Sequence, residues 1–382
     1  MPKSVIARLV VLLACAAVAP EAQPRWTVDA KPTFDITGAN DAGGVLFGSV
    51  SWATRLKNGT IVVADASGPA VHFIGANGKL IKSSGRRGEG PGDFRTVTWV
   101  SPCGSDGVYA WDFAKTQITT YDEVGAMKKS FPFGTRGGAN TSGSCNQRGM
   151  LFAFASPHRM PAKTPPDPNA TYAIVGAAAS PVVMSTAGDT IMRLPEVPYG
   201  EMLSGMVQGR AGGLPRPLGS TTTFALGEQN LFIGITDSAA VFVYSLDGKR
   251  VGTIPVSGAG KAPSAQQYAT AAEIPLSIVP AQMRDDYRKF VLGVPPPSRL
   301  SPFSQLFVDA AGLLWVQTSS PGEAETRFRI FTTSGTPIAQ ATVPASITIF
   351  EIGTDYLLGT RPDADDEPHL IVYRLKRSEG RP

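Results

Sequence analysis

Residues 85–94, GRRGEGPGDF, combine glycines, arginines and acidic residues in a way that could bind an anion. Gly88, Gly90 and Gly92 would let backbone N–H groups form a nest around a phosphate, but they would equally suit a tight connection between strands. A dinucleotide-binding fingerprint requires a helix directly after such a loop, and none is predicted here. The pattern therefore favours a connection anchored by an apolar side chain. The residues that it would display to a ligand are Arg86, Arg87, Glu89 and Asp93.

Three aspartates follow apolar strands: Asp65 after IVVA, Asp112 after VYAW and Asp237 after LFIGIT. Arranged in a ring, such acids could take part in general acid–base catalysis. Aspartate at the end of a strand can instead accept backbone N–H bonds and fix the next turn, and repetition favours that role. We therefore assign no catalytic residue.

Metal ligands and nucleophiles show no recognisable pattern. His72, His158 and His369 lie in separate contexts, so no zinc site is predicted. Residues 361–368, RPDADDEP, offer carboxylates but lack the glycine and distal glutamate of a helix-loop-helix calcium site. Neither a Gly-x-Ser-x-Gly elbow nor a Ser-x-x-Lys pair occurs. We expect no cofactor, with a divalent cation such as calcium as the open alternative.

The elements that position these residues form a repeat. In five copies an apolar strand ends and a glycine follows four positions later, which predicts a hairpin turn. The copies are residues 74–78, 121–125, 184–188, 244–248 and 331–335, and a sixth strand at 370–373 lacks the glycine. Further apolar strands precede each copy. Four antiparallel strands repeated six times predict an all-β fold, a six-bladed β-propeller.

The ring of blades must also close. The sixth unit supplies only three strands, and residues 25–36, RWTVDAKPTFDI, form a strand-like segment with no other partner. We predict that this N-terminal strand completes the last blade and removes an exposed sheet edge. Residues 23–382 are then one domain with insertions at 156–171, 195–220 and 257–302.

The last insertion contains one predicted short helix. Pro280 can begin it, Gly293 can end it, and apolar residues between them fall on one stripe. We expect this stripe to pack onto the propeller. Its members are Met283, Tyr287, Phe290 and Val291.

Composition agrees with a large globular domain. The chain has 382 residues, of which 42% are hydrophobic and 17% charged, and its 41 glycines and 32 prolines favour many short elements joined by turns. The net charge of +4 is spread along the chain without a polybasic tract. We therefore expect no nucleic-acid partner, and we expect a monomer.

The N-terminus is typical of an export signal over residues 1–22, with a basic leader and then an apolar stretch too short to span a membrane. Two processing routes stay open. Residues 12–15, LLAC, resemble a lipobox that would place a lipid on Cys15, whereas ordinary cleavage would occur a few residues later. The predicted location is extracytoplasmic: periplasmic, secreted, or tethered to a membrane only through the lipid.

Either route leaves two cysteines with thiols that can pair, Cys103 and Cys145, each just before a turn that leads into an apolar strand. In an oxidising compartment a disulfide between neighbouring repeats is favoured, with two buried free thiols as the alternative.

The glycine-rich connection, together with residues 58–80, NGTIVVADASGPAVHFIGANGKL, and 309–320, DAAGLLWVQTSS, resembles the bacterial six-bladed β-propeller family with NHL-like repeats. The resemblance spans roughly residues 26–376 as architecture, and its specific motif is confined to the first two blades. It implies a fold and little biochemistry, since this fold has many functions.

In a four-stranded blade, the connections between blades and those between the second and third strands lie on one face. Nearly every long insertion falls on this insertion-bearing face, and long loops on a rigid scaffold are where binding usually occurs. We predict a noncatalytic protein that binds a peptide, protein or carbohydrate there. Arg159 and Arg361 join the candidate ligand-binding residues. The alternative is a metal-dependent lactonase-like hydrolase or lyase with carboxylates in the central channel.

Overall fold

The computed structural model describes residues 23–37, 47–105, 107–133, 139–159, 171–256, 258, 260–277 and 279–378, with 139–143 and 155–159 described by their backbone alone. The predicted signal segment and Cys15 lie outside these residues. Two short strands, β1 (Arg25–Val28) and β2 (Phe34–Ile36), begin the described chain and pair with its end. Among the described residues, neither α-helix has the length and apolarity needed to cross a bilayer.

The first two repeats are four-stranded antiparallel sheets. Their strands are β3 (Val50–Arg55), β4 (Ile61–Asp65), β5 (Ala70–Ile74) and β6 (Leu80–Ser84), then β7 (Val97–Pro102), β8 (Val108–Asp112), β9 (Gln117–Tyr121) and β10 (Met127–Pro132). The second strand of each sheet is buried throughout, whereas the fourth strand is largely exposed. Sheets that stack face to face bury both sides of their inner strands, which is why these strands are nearly continuous apolar runs.

The third repeat departs from the predicted four strands, because it is a six-stranded sheet. Its strands are β11 (Ala139–Cys145), β12 (Met150–Arg159), β13 (Tyr172–Ser185), β14 (Thr190–Arg193), β15 (Val197–Val207) and β16 (Arg210–Pro215). The predicted insertion at 195–220 is therefore largely the β15–β16 hairpin, which continues the sheet beyond β13. Most of the insertion at 156–171 lies outside the described residues.

A further four-stranded sheet follows, formed by β17 (Thr222–Leu226), β18 (Asn230–Ile235), β19 (Ala240–Ser245) and β20 (Arg250–Pro255). The next insertion carries two α-helices instead of one, α1 (Ala265–Leu276) and α2 (Arg284–Leu292), with a 3₁₀ turn at Ala281–Met283. Ser264 caps α1 in a reciprocal capping box with Gln267. The apolar stripe of α2 packs against α1 and the β15–β16 hairpin, as predicted for an element that covers the scaffold.

The last seven strands and the N-terminal pair form a continuous nine-stranded sheet. These strands are β21 (Gln305–Val308), β22 (Leu314–Gln317), β23 (Glu325–Phe331), β24 (Pro337–Pro344), β25 (Thr348–Ile352), β26 (Tyr356–Pro362) and β27 (Pro368–Lys376). Strand β2 is antiparallel to β27, with Phe34 opposite Val372. Strand β1 lies between β24, to which it is parallel, and the end of β27.

The predicted hairpin glycines all adopt the left-handed conformation that the turn requires. Their φ angles lie between +80° and +91° at Gly78, Gly125, Gly188, Gly248 and Gly335. A side chain at such a position is strained, so these turns require glycine. The strand–turn–strand prediction is therefore confirmed at its defining residue.

Six strands contact one another in a cycle: β3 with β7, then β11, β17, β21 and β25, which returns to β3, with β21 and β25 at the two edges of the nine-stranded sheet. Glu351 on β25 makes this last contact, since its Oε2 accepts hydrogen bonds from Thr54 Oγ1 at 2.5 Å and the Arg55 N–H at 3.2 Å. The Tyr356 hydroxyl donates to its Oε1. Burial raises the pKa of the Glu351 carboxyl despite these donors.

A second contact joins the chain ends. Arg377 Nη2 lies 2.9 Å from Oδ2 of Asp309, whose side chain is fully buried, and its guanidinium lies 4.7 Å from the centre of the Trp26 ring. Asp309 also accepts the indole N–H of Trp315. Residues near both termini are thus held against the sheet that begins at β21.

Candidate functional site

The glycine-rich connection between β6 and β7 is internally bonded. The N–H of Gly88 donates to Phe94 O, that of Phe94 to Arg86 O, and that of Gly90 to Asp93 Oδ2. Phe94 is fully buried in the apolar cluster between the first two sheets, as an anchor should be. Because these N–H groups bond within the loop, the arrangement is that of a strand connection and not of a phosphate nest.

The charged side chains predicted on this loop are also paired locally. Arg86 contacts Asp93 at 3.3 Å, and Arg95 contacts Glu89 at 2.5 Å. Arg87 donates to Ser67 O at 3.2 Å. In each pair at least one side chain is exposed to solvent. The pairs therefore hold the loop in place while Arg86 and Glu89 stay accessible to a ligand.

Two of the three strand-end aspartates have the predicted structural role. Asp65 accepts the N–H groups of Gly48, Ser49 and Ser67. Asp112 does the same for Arg95, Thr96 and Lys115, and both carboxylates are buried. The grouping of Asp237 with them is wrong, because the buried Thr236 hydroxyl accepts the corresponding N–H of Thr221 and Asp237 is exposed.

Arg361 lies in a separate polar cluster beside β2. It contacts Asp35 at 3.2 Å and the Tyr373 hydroxyl, and His369 lies between Asp35 and Asp363. The acidic loop that was the calcium alternative is a self-bonded turn, in which Asp363 accepts the N–H groups of Asp365 and Glu367. These backbone donors lower the pKa of Asp363.

Arg159 ends β12, and its side chain lies outside the described part of the structure. The candidate residues Arg86, Arg159 and Arg361 are therefore not brought together by any described contact. Within the described ranges, no three His, Cys, Asp or Glu residues are grouped as metal ligands would be.

The structure instead gathers charged residues at a cleft of about 390 Å³ above the fourth sheet. Its wall is formed by residues 297–302, where the helical insertion returns to the scaffold, by the β15–β16 hairpin and by the connections at 218–220 and 237. All of these connections precede a first strand or join a second strand to a third, so they lie on the insertion-bearing face. The charged residues that line this cleft are Glu201, Arg216, Asp237 and Arg299.

Arg216 and Glu201 form the partly buried centre of this cleft. Arg216 Nη1 lies 2.9 Å from Glu201 Oε2, and only 12% of the arginine side chain and 32% of the glutamate side chain are exposed. Nη2 of Arg216 donates to Pro295 O at 3.4 Å, whereas its buried Nε has no partner. A buried donor without a partner is costly, so the guanidinium is held there at the expense of stability.

A second cavity of about 460 Å³ adjoins the first. Leu300, Ser301 and Pro302 line both cavities, and we call these three residues the ridge. The far side carries Lys261 and Glu323 together with polar residues around the start of α1 and after β22. We call the two cavities and their shared ridge the ridge cleft.

Sequence reasoning missed this site. Asp237 and Arg299 come from two separate connections, whereas Glu201 and Arg216 come from the β15–β16 hairpin, which was predicted only as an insertion at 195–220. The four residues match no motif. The only signal in the sequence was that long insertions converge on one face. It predicted the face that carries the site but not the residues that line it.

The opposite face carries the disulfide. Cys103 and Cys145 are bonded, with their Cα atoms 5.3 Å apart, and they join the turn after β7 to the end of β11. The bond therefore connects the second and third sheets away from the ridge cleft.

Comparison with known proteins gives the fold. No protein-family model matches the sequence, and no curated protein sequence matches it. A member of the DUF4221 family from Bacteroides vulgatus is similar in structure with a TM-score of 0.51, at 11% identity over 94% of this chain and 100% of that chain. A gluconolactonase from Xanthomonas campestris has a TM-score of 0.43 at 13% identity, over 94% and 99% of the two chains.

A virginiamycin B lyase from Staphylococcus aureus has a TM-score of 0.41 at 9% identity, over 90% of this chain and 99% of that chain. These neighbours are β-propeller-like, and at such identities the likeness describes the fold alone. The chain is thus a mostly β protein of propeller-like architecture.

Proposed function

We propose that this chain is an exported six-bladed β-propeller of the NHL-like class that binds a peptide, protein or carbohydrate ligand in the ridge cleft, without catalysis. One observation carries the proposal: residues 297–302 of the insertion between β20 and β21 line a cavity together with the β15–β16 hairpin and the connections at 218–220 and 237, and two arginines and two acids line it. A rigid scaffold with such a lined concavity is the usual form of a binding site.

The six-bladed count rests on the cycle of first strands. Each of the six strands in that cycle begins a set of at least three antiparallel strands, and β2 supplies a fourth strand to the last set. In this interpretation β1 is a bridge that joins two blades into the nine-stranded sheet, and β14–β16 elaborate the third blade.

Export is supported by the leader at 1–22 and by the disulfide. Disulfides persist in oxidising compartments and are rare in the cytosol, so the Cys103–Cys145 bond fits an extracytoplasmic protein. The mature protein is either released by ordinary cleavage or tethered through a lipid on Cys15.

Binding is supported by two charged side chains of the cleft that are available to a ligand. Asp237 and Arg299 are exposed, and in the described part of the chain neither forms an ion pair. A ligand with polar or charged groups can therefore pair with them without breaking an existing contact. Arg86 and Arg87 lie on the same face and remain proposed outer contacts, which charge reversal of both residues would test.

The experiment measures where ligands bind. Purified protein would be screened on a glycan array and against a displayed random heptapeptide library, as wild type and as Asp237→Lys and Arg299→Glu variants. Lys249→Glu is the matched control, since Lys249 is exposed in a hairpin on the opposite face. We expect ligands whose binding falls roughly tenfold in the cleft variants and is unchanged in the control. Ligands that are insensitive to both cleft variants, or no ligand at all, would overturn the proposal.

A further inference from the structure

The two halves of the ridge cleft share one wall, so a single ligand can occupy both. Leu300, Ser301 and Pro302 line each cavity, so a ligand that occupies both cavities must pass over these three residues. An extended chain with successive units in the two cavities can do this.

Charges of both signs lie on each side of the ridge. Arg299 and Asp237 line one side, and Lys261 and Glu323 line the other. Over the described residues, Asp237, Arg299 and Lys261 form no ion pair, whereas Glu323 contacts Arg327. The cleft therefore presents free cations and a free carboxylate at separated positions, which a ligand carrying ionised groups of both signs would complement.

The lining lacks what a neutral sugar uses. No aromatic side chain is among the described residues that line either cavity, so the flat apolar platforms on which a sugar ring packs are missing there. The Ser320 hydroxyl and the Gln267 Nε2 group, which lies outside the capping box, can pair with peptide N–H and C=O groups.

We infer that the ligand is an extended peptide with ionised side chains of both signs, bound across the ridge with a basic residue at Asp237 and an acidic residue at Arg299. This inference rests on the proposed function and narrows its three ligand classes to one. The ion pair between Arg216 and Glu201 then forms the floor of the first half and orients the groups around it.

The test pairs selected peptides with charge variants. Heptapeptides enriched on the wild-type protein would be synthesised, together with analogues in which the basic residue is norleucine or the acidic residue is the amide. Affinities would be measured by calorimetry for wild type, Asp237→Asn and Arg299→Gln. The thermal transition of each variant would be compared with wild type to establish that it is folded.

We expect enriched peptides to contain a basic and an acidic residue. Asp237→Asn should weaken binding of the original peptide roughly tenfold and leave binding of the norleucine analogue unchanged. Likewise, Arg299→Gln should weaken binding of the original peptide roughly tenfold and leave binding of the amide analogue unchanged. Peptides without ionised residues, or losses that are equal for parent and analogue, would overturn the inference. Glycan binding that depends on the cleft, with no peptide enriched, would overturn the inference while leaving the proposed function standing. No cleft-dependent binding in either library would overturn both.

Discussion

Breaking the bond between Cys103 and Cys145 should destabilise the protein by a calculable amount. The bond closes a segment of 42 residues, and cross-linking a loop of that length removes unfolded-state entropy worth about 4 kcal/mol at 25 °C. Cys103 is also fully buried, so replacing it adds the cost of lost packing. Reduction alone avoids that cost, because both sulfur atoms stay in place.

The assay is guanidinium unfolding followed by tryptophan fluorescence. Protein that lacks residues 1–22 would be compared in its oxidised form, in its reduced form, and as a Cys103→Ala/Cys145→Ala variant. We expect reduction to lower the free energy of unfolding by about 4 kcal/mol and the double variant to lower it further. Thiol titration of the denatured oxidised protein should find no free thiol.

Two free thiols in that titration would refute the disulfide itself. A reduction that lowers the free energy of unfolding by less than about 1 kcal/mol would refute the reasoning from loop entropy, because the bond would then not restrain the unfolded chain.

Three further outcomes are expected. Because burial raises the pKa of Glu351 above its ordinary 4.5, the free energy of unfolding of wild type relative to that of Glu351→Gln should fall as pH rises above 4.5, as measured in urea titrations of both proteins. Arg377→Met should lower the free energy of unfolding by about 3 kcal/mol, because it leaves the buried Asp309 carboxylate without its cation. Arg374 is an exposed arginine on β27, so Arg374→Met should change the free energy of unfolding by less than about 0.5 kcal/mol in the same denaturation assay. Elemental analysis of the purified protein should find no stoichiometric divalent ion, and chelation should leave the thermal transition unchanged; a bound ion lost together with a lactone-hydrolysing activity would favour the metal-dependent alternative instead.

Local sequence signals predicted the repeat because each acts within one turn. The glycine of each hairpin is required by a positive φ angle, and Asp65 and Asp112 each accept an N–H from a residue shortly after them in the chain, Ser67 and Lys115. Such contacts need no knowledge of distant partners. The same rule failed at Asp237, because the hydroxyl of the preceding residue, Thr236, accepts the N–H of Thr221 instead of the aspartate carboxylate.

Longer-range features were beyond the sequence signals. Helix α1 was missed because Pro275 suggests a break, although the helix tolerates it in its last turn. The β15–β16 hairpin was missed because its glycines and prolines are typical of loops, while its pairing with β13 joins residues that are 18 to 33 positions apart in the chain. Residues at the start of α1 and on the β15–β16 hairpin both line the ridge cleft. Because neither element was predicted, the residues of the cleft could not be predicted either.

The pairing of β2 with β27 sets when this protein can finish folding. Thr33 bonds to Val372 across a sequence separation of 339, and Arg377 must reach Asp309 before that buried carboxylate is neutralised. Contacts between such distant residues form late, because the intervening chain must first be ordered or its closure entropy overcome. The native arrangement is then inaccessible until β27 is available for pairing, so completion of this sheet depends on the last strand of the described chain.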